Sequence, residues 1–189
     1  VKIVLASGSP RRYELLKMIG IENFEVIADT ANEVLPPGLS PEQTVNKVAL
    51  AKAKNVSKLC GDDDLIIAAD TEVYLDGVPF GKPVNEDDAV DMLKRLSGRC
   101  HKVYTGIALI YAGTVTTGAE VTTVCFRDIS DDEIINYVKT GEPMDKAGAY
   151  GAQGRGAVFI ERLDGDFFNV MGLPICRLTL MLKRIGVVI

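Results

Sequence analysis

Residues 65–80 read LIIAADTEVYLDGVPF, and this stretch decides the class of fold. The apolar run Leu65–Ala69 predicts a buried strand that ends in Asp70-Thr71. Asp76-Gly77 lies between Glu72–Leu75 and Val78–Phe80, a hairpin signal. A buried strand that feeds a hairpin speaks for a mixed sheet and against a purely parallel wound one.

Upstream, the short apolar run Lys2–Ala6 predicts a strand, and Ser9-Pro10 places a helix N-cap and first turn. Leu15, Leu16 and Ile19 form that helix's apolar face, and Gly20 closes it. Phe24–Ala28 predicts a second strand, followed by the polar, proline-containing segment Asp29–Gly38. Ser40-Pro41-Glu42-Gln43 is a capping box for a helix running to about Leu59. Downstream, Asn85 caps a helix with Ala89, Met92, Leu93 and Leu96 on one face and Gly98 at its end. Val103–Ala112 and Thr114–Phe126 predict long strands, and Ser130–Glu133 is a second capping box. Ala157–Leu163 and Phe167–Val170 flank Asp164-Gly165, which predicts a second hairpin, and a last helix spans about Pro174–Arg184. Strands and helices alternate without a repeat or a separating linker, so residues 1–189 are expected to form one α/β domain with a mixed sheet.

Composition narrows the function. Apolar residues make up 47% and charged residues 25%, an ordinary globular balance. The longest apolar runs are far too short to span a bilayer, and the N-terminal run lacks the features of a signal peptide, so a soluble, cytoplasmic protein is expected. The net charge of −5 disfavours a nucleic-acid partner. Cys60, Cys100, Cys125 and Cys176 form no CxxC pair and are expected as reduced, mostly buried thiols. His101 is the only histidine, which weakens mechanisms built on a histidine base with further histidine ligands.

The candidate chemistry is that of a polyphosphate site. Ser7-Gly-Ser-Pro-Arg-Arg12 joins a strand to a helix N-terminus, where free N–H groups and the dipole suit an anion. Arg11 and Arg12 oppose that dipole; they are either solvated or matched by a bound anion. Neither a P-loop nor a GxGxxG fingerprint is present. Lys52 falls on the apolar stripe Val45, Val48, Ala49, Val56 and Leu59, so it either snorkels or faces negative charge. Asp70, at the end of a buried strand, either caps a turn or serves a metal or a reaction, and Glu33 offers a second carboxylate. Oxygen donors without a His/Cys set suit Mg²⁺ or Mn²⁺. Lys82 sits on the turn Gly81-Lys82-Pro83. The glycine-rich run 141–156 carries the amide Gln153 and predicts a loop whose backbone approaches a ligand closely.

LASGSPRR, AADT, GKP, SGRCHKVYTG, GEPMDKAGAYGAQG and NVMGLP occur in this order along nearly the whole chain. Together they resemble the Maf family of nucleoside triphosphate pyrophosphatases. The resemblance implies a fold similar to inosine triphosphate pyrophosphatases, a curved mixed sheet with flanking helices and a cleft between two lobes. It implies hydrolysis between the α- and β-phosphates with a divalent cation, in a cytoplasmic protein that is often a homodimer. It assigns Asp70 as proton acceptor. The residue patterns above add Ser7, Ser9, Arg11, Arg12, Lys52, Thr71, Lys82 and Gln153 as expected substrate contacts, and Glu33 and Asp70 as expected metal ligands. Arg12, Thr71 and Gln153 match the positions tied to dTTP and UTP; another subgroup acts on 7-methyl-GTP. Ala152 and Phe168 depart from the family pattern, outside the charged set. Whether Asp70 is base or metal ligand stays open on sequence grounds. The alternative is a nucleotide-binding regulator of septum formation with little turnover, which would not need the carboxylates Glu33 and Asp70.

Overall fold

A computed structural model describes residues 1–29 and 37–188 of the chain. Two compact units emerge: residues 1–70, 105–120 and 172–189 form the first, and residues 71–104 and 121–171 the second. Among the described residues the strands are β1 (Ile3–Leu5), β2 (Glu25–Val26), β3 (Leu65–Leu75), β4 (Val78–Phe80), β5 (Cys100–Tyr111), β6 (Thr114–Phe126) and β7 (Ile160–Asp164). The helices are α1 (Pro10–Met18), α2 (Pro41–Ser57), α3 (Glu86–Leu96), α4 (Asp131–Val138), α5 (Phe167–Met171) and α6 (Ile175–Arg184). The sheet has seven strands in the order β2-β1-β3-β5-β6-β7, with β4 on β3. It is mixed: β1 runs parallel to β2 and β3, whereas β4 is antiparallel to β3 and β7 to β6. The expected α/β class with flanking helices is therefore observed. No helix among the described residues is long and apolar enough to cross a membrane.

In the first unit, β1 sits beside β3 with Val4 opposite Ile66, and α2 covers these strands. Its apolar face is mostly small, Ala49 and Ala53 with Val45 and Val56, so the helix packs close to the sheet. Gly106 on β5 shows how close: a Cβ there would stand 2.4 Å from the Val45 carbonyl. The α2 capping box forms as expected, with the Ser40 hydroxyl accepting from the Gln43 N–H and the Gln43 side chain accepting from the Ser40 N–H.

In the second unit, the core joins Leu93 and Leu96 of α3, Ile134 and Tyr137 of α4, and Val103, Val124 and Phe126 of the sheet. Asn85 and Ser130 cap α3 and α4 through their side chains. Buried Asn169 donates to the Val103 carbonyl and to Thr122 Oγ, each at 2.9 Å.

Several expectations are corrected. β3 does not end at Asp70-Thr71; it continues to Leu75, changing partner from β1 at residues 65–67 to β4 at residues 73–75. The second hairpin is absent: β7 ends at Asp164, and Phe167–Met171 is helical. The reason is the exchange between Thr122 and Asp166, in which the Thr122 hydroxyl donates to the Asp166 carbonyl and accepts from its N–H, while the Asp166 carboxylate accepts from Phe168 N–H. Cys100 and Cys125 are joined in a disulfide between β5 and β6, Cys60 is half-buried and Cys176 exposed, so the expectation of reduced, mostly buried thiols fails. Ser9 occupies the N-cap of α1 but makes no side-chain cap bond.

Candidate active site

The charged group of the first unit starts at the turn between β1 and α1. Ser7 is buried, and its hydroxyl accepts from the Ser9 N–H at 3.2 Å and from Arg12 Nη1 at 3.1 Å. Arg12 also donates from Nε to the Gly172 carbonyl at 2.7 Å. This second anchor fixes the guanidinium plane, which a lysine's single ammonium would not allow. Burial pulls the Arg12 pKa down to about 10; the charge of Asp70 opposes the shift and that of Arg11 adds to it. Arg12 therefore remains cationic at neutral pH. The first turn of α1 holds no acidic residue to offset Arg11 and Arg12.

Lys52 leaves α2 and meets Asp70 of β3, Nζ to Oδ1 at 2.6 Å. The two side chains are 23% and 16% exposed, enough solvent exclusion to make the pair geometrically defined without sealing it. Of the two readings open for Lys52, facing negative charge is the observed one. The negative charge is the protein's own carboxylate. The structure thus brings together Ser7, Arg12, Lys52 and Asp70, with Ser9 and Arg11 on the same turn. Glu33 lies outside the described residues.

The second unit carries Thr71, Lys82 and Gln153. Thr71 is half-buried on β3; Lys82, on the turn after β4, and Gln153, in the glycine-rich loop, are exposed. The turn and the loop are tied through backbone, the Gly148 N–H donating to the Gly81 carbonyl at 3.1 Å. The loop is built around one acid that sequence reading missed. The Glu142 carboxylate accepts from Tyr137 Oη at 2.8 Å, from Arg155 N–H at 2.9 Å and from Gly156 N–H at 3.1 Å. The Tyr137 oxygen in turn accepts from Gly151 N–H at 3.0 Å. A Cβ on Gly154 would lie 2.5 Å from Glu142 Oε1. The glycine expected to admit a ligand makes room for the protein's own carboxylate. Burial tends to raise the Glu142 pKa, but its N–H and phenol donors and the Lys146 charge prevail and hold it below the usual value. Burial raises the Tyr137 pKa, so the phenol stays a donor at neutral pH. The only available signal was spacing: an acid before a run of glycines.

His101, buried against Phe126 and Tyr150, meets Tyr150 through Nε2 at 2.8 Å, while Nδ1 has no hydrogen-bond partner. Burial depresses its pKa to about 4. It is a neutral core residue here.

For a metal, the donors suit a hard cation. Among the described residues no three His, Cys, Asp or Glu side chains gather as a metal set. Asp70 alone is an oxygen donor of the kind that holds Mg²⁺ or Mn²⁺ when substrate phosphates and water supply the remaining ligands. A lone carboxylate oxygen donor is chemically suited to a hard cation rather than to structural zinc, which takes four Cys or His ligands.

In the first unit, a carboxylate paired with a lysine and cations at a helix start form a set whose chemistry suits phosphoanhydrides. The family model for Maf-like proteins matches residues 2–185, and the chain belongs to that family. It is 48% identical to a dTTP/UTP pyrophosphatase of Acetivibrio thermocellus, covering 99% of this chain and 96% of that one. It is 44% identical to a protein of the same name from Caldicellulosiruptor saccharolyticus, covering 98% and 95%. Among solved structures, the Ham1 protein of Staphylococcus aureus (TM-score 0.54, 17% identity, covering 97% and 99%) shares the fold. So does a HAM1 protein of Coxiella burnetii (TM-score 0.55, 16% identity, covering 97% and 99%).

Proposed function

We propose that this chain hydrolyses dTTP and UTP to the monophosphate and pyrophosphate with a divalent cation, Mg²⁺ or Mn²⁺, as a cytoplasmic homodimer. The observation that carries the reading is the Lys52–Asp70 pair at 2.6 Å, with Arg12 close enough to feel the charge of Asp70. The names of the relatives support the substrate class.

In this reading Asp70 accepts the proton of the attacking water, a role worth about 10²–10⁴ in rate for a positioned base. Lys52 orients the Asp70 carboxylate and presents positive charge to the phosphates. Arg12, fixed by Ser7 and Gly172, and Arg11 beside it counter the charge that moves onto the pyrophosphate as it leaves. Lys82 adds a cation, and Thr71 contacts sugar or α-phosphate. Gln153 reads the carbonyl–N–H–carbonyl edge of uracil or thymine, which its amide matches with one acceptor and two donors. With Asp70 as the base, Glu33 and the substrate phosphates would hold the cation; with Asp70 beside Glu33 as ligand, another group would take the proton. In either case the cation when bound polarises the phosphate under attack.

The test is product chromatography over the ordinary nucleotides and 7-methyl-GTP. Monophosphate and pyrophosphate are expected, with UTP and dTTP ahead of CTP, ATP and GTP. Diphosphate plus orthophosphate, or a preference for 7-methyl-GTP, would refute the proposal.

A further inference from the structure

The segment that carries Gln153 is held at both ends by a single phenol–carboxylate pair. At one end, Gly151 N–H donates to Tyr137 Oη; at the other, Arg155 and Gly156 N–H donate to the two oxygens of Glu142. The Tyr137 hydroxyl donates to the Glu142 carboxylate, so the two anchors are one hydrogen-bonded unit. Only residues 152–154 span the gap between them, and Ala152 is itself buried. Within this span a further turn closes, Gly154 N–H donating to the Gly151 carbonyl at 3.3 Å. The Cβ-less Gly154 lies directly on the Glu142 carboxylate. Such anchoring leaves the backbone under Gln153 little freedom, while its side chain stays exposed.

Glu142 itself rests on firm ground. It begins a turn just after α4, which ends at Val138, and the Lys146 ammonium closes that turn by donating to the Glu142 carbonyl at 2.7 Å. Tyr137, on the last turn of α4, is buried against Phe159 with ring centroids 5.1 Å apart. The position of the loop is thereby referred to the core of the second unit through one carboxylate.

We propose that Glu142 is a positioning residue for nucleobase selection: by fixing Arg155 and Gly156 directly, and Gly151 through Tyr137, it sets where the Gln153 amide stands and hence which base edge it accepts. This rests on Gln153 being the base reader, as the proposed function has it. A carboxylate is needed because two oxygens must accept from three donors. An amide keeps one accepting oxygen and sets an N–H₂ against a donor.

The experiment compares wild type, Glu142→Ala and Glu142→Gln for UTP and CTP, with hydrogen exchange of the free proteins. In Glu142→Ala the KM for UTP should rise about tenfold, more than kcat falls, and the UTP:CTP ratio of kcat/KM should drop by about the same factor, as expected when a hydrogen-bonding site loses its alignment. Exchange at the Arg155 and Gly156 amides should quicken. Glu142→Gln should fall between, and it carries the test alone if the alanine variant does not fold. An unchanged KM and ratio in the folded variants, or a loss confined to kcat, would overturn the positioning role and leave the pyrophosphatase reading standing. A wild type without preference for UTP over CTP would overturn both.

Discussion

The two units solve the problem of holding polar groups differently. The first uses side chains of regular elements: Lys52 from a helix meets Asp70 from a strand, and Arg12 from a helix start is held by the Ser7 hydroxyl and the Gly172 carbonyl. The second presents an irregular loop and holds it through backbone N–H groups on Glu142 and Tyr137. Charge-bearing groups on rigid elements suit chemistry, where small displacements cost much rate. A loop anchored at its ends suits recognition, because its exposed middle can change without disturbing the anchors. The difference teaches that one chain can hold its polar groups by two structural logics.

The largest effect that would sharpen this contrast is expected from Asp70→Asn. Turnover should fall about 10³-fold or more, within the range for a positioned base, while nucleotide affinity changes little. Single-turnover rates and calorimetric binding measure the two separately. Near-normal turnover would remove the first unit's carboxylate from the chemistry.

A second test addresses the core of the second unit. His101 is neutral when folded, with a pKa of about 4 against about 6.5 unfolded. A base whose folded pKa is depressed favours unfolding as soon as the unfolded chain gains the proton. Its stabilisation is complete above pH 6.5 and declines as pH falls toward 4, then levels off. The full loss is about 3 kcal/mol, or roughly 6–12 °C in Tm for a chain of this size. His101→Gln should melt less steeply with acid across that window than the wild type. Identical pH profiles would mean that His101 is not buried neutral.

The smallest effect is expected for Lys52→Met. Methionine suits the apolar stripe of α2, so stability should change by less than about 1.5 kcal/mol. Activity should fall about tenfold or more as Asp70 loses its partner, a change of about 1.4 kcal/mol in the barrier. Unchanged kcat/KM would show that the pair serves packing alone and break the contrast from the other side.

Sequence reading succeeded where the signal is local. The capping boxes at Ser40 and Ser130 and the cap at Asn85 each lie within four residues, and each forms. It failed where distant partners decide. Asp164-Gly165 has the chemistry of a hairpin, but Thr122, more than forty residues earlier, binds Asp166 and redirects the chain into α5. The Cys100–Cys125 bridge depends on strand neighbours 25 residues apart. Asp70-Thr71-Glu72 resembles a strand end because it is polar, yet β3 continues through it. Of the site, Lys52 was legible as a charge out of place on an apolar stripe, and Arg12 as a cation at the wrong end of a helix. Glu142 was not, because an acid in a loop has no pattern until its donors are known.

One contact in the first unit has a consequence for mutational screens. Gly106, the last residue of the SGRCHKVYTG run, has no side chain with which to do chemistry. Yet the α2 backbone rests on it at Val45, and Lys52 lies two turns further along the same helix. An alanine at 106 would have to lift that helix, since the atoms in its way are main chain and cannot rotate aside. The ammonium would move with the helix, away from a carboxylate it now meets at 2.6 Å. A deep mutational scan scored by turnover would flag position 106 as strongly as a catalytic residue, although its contribution is distance alone.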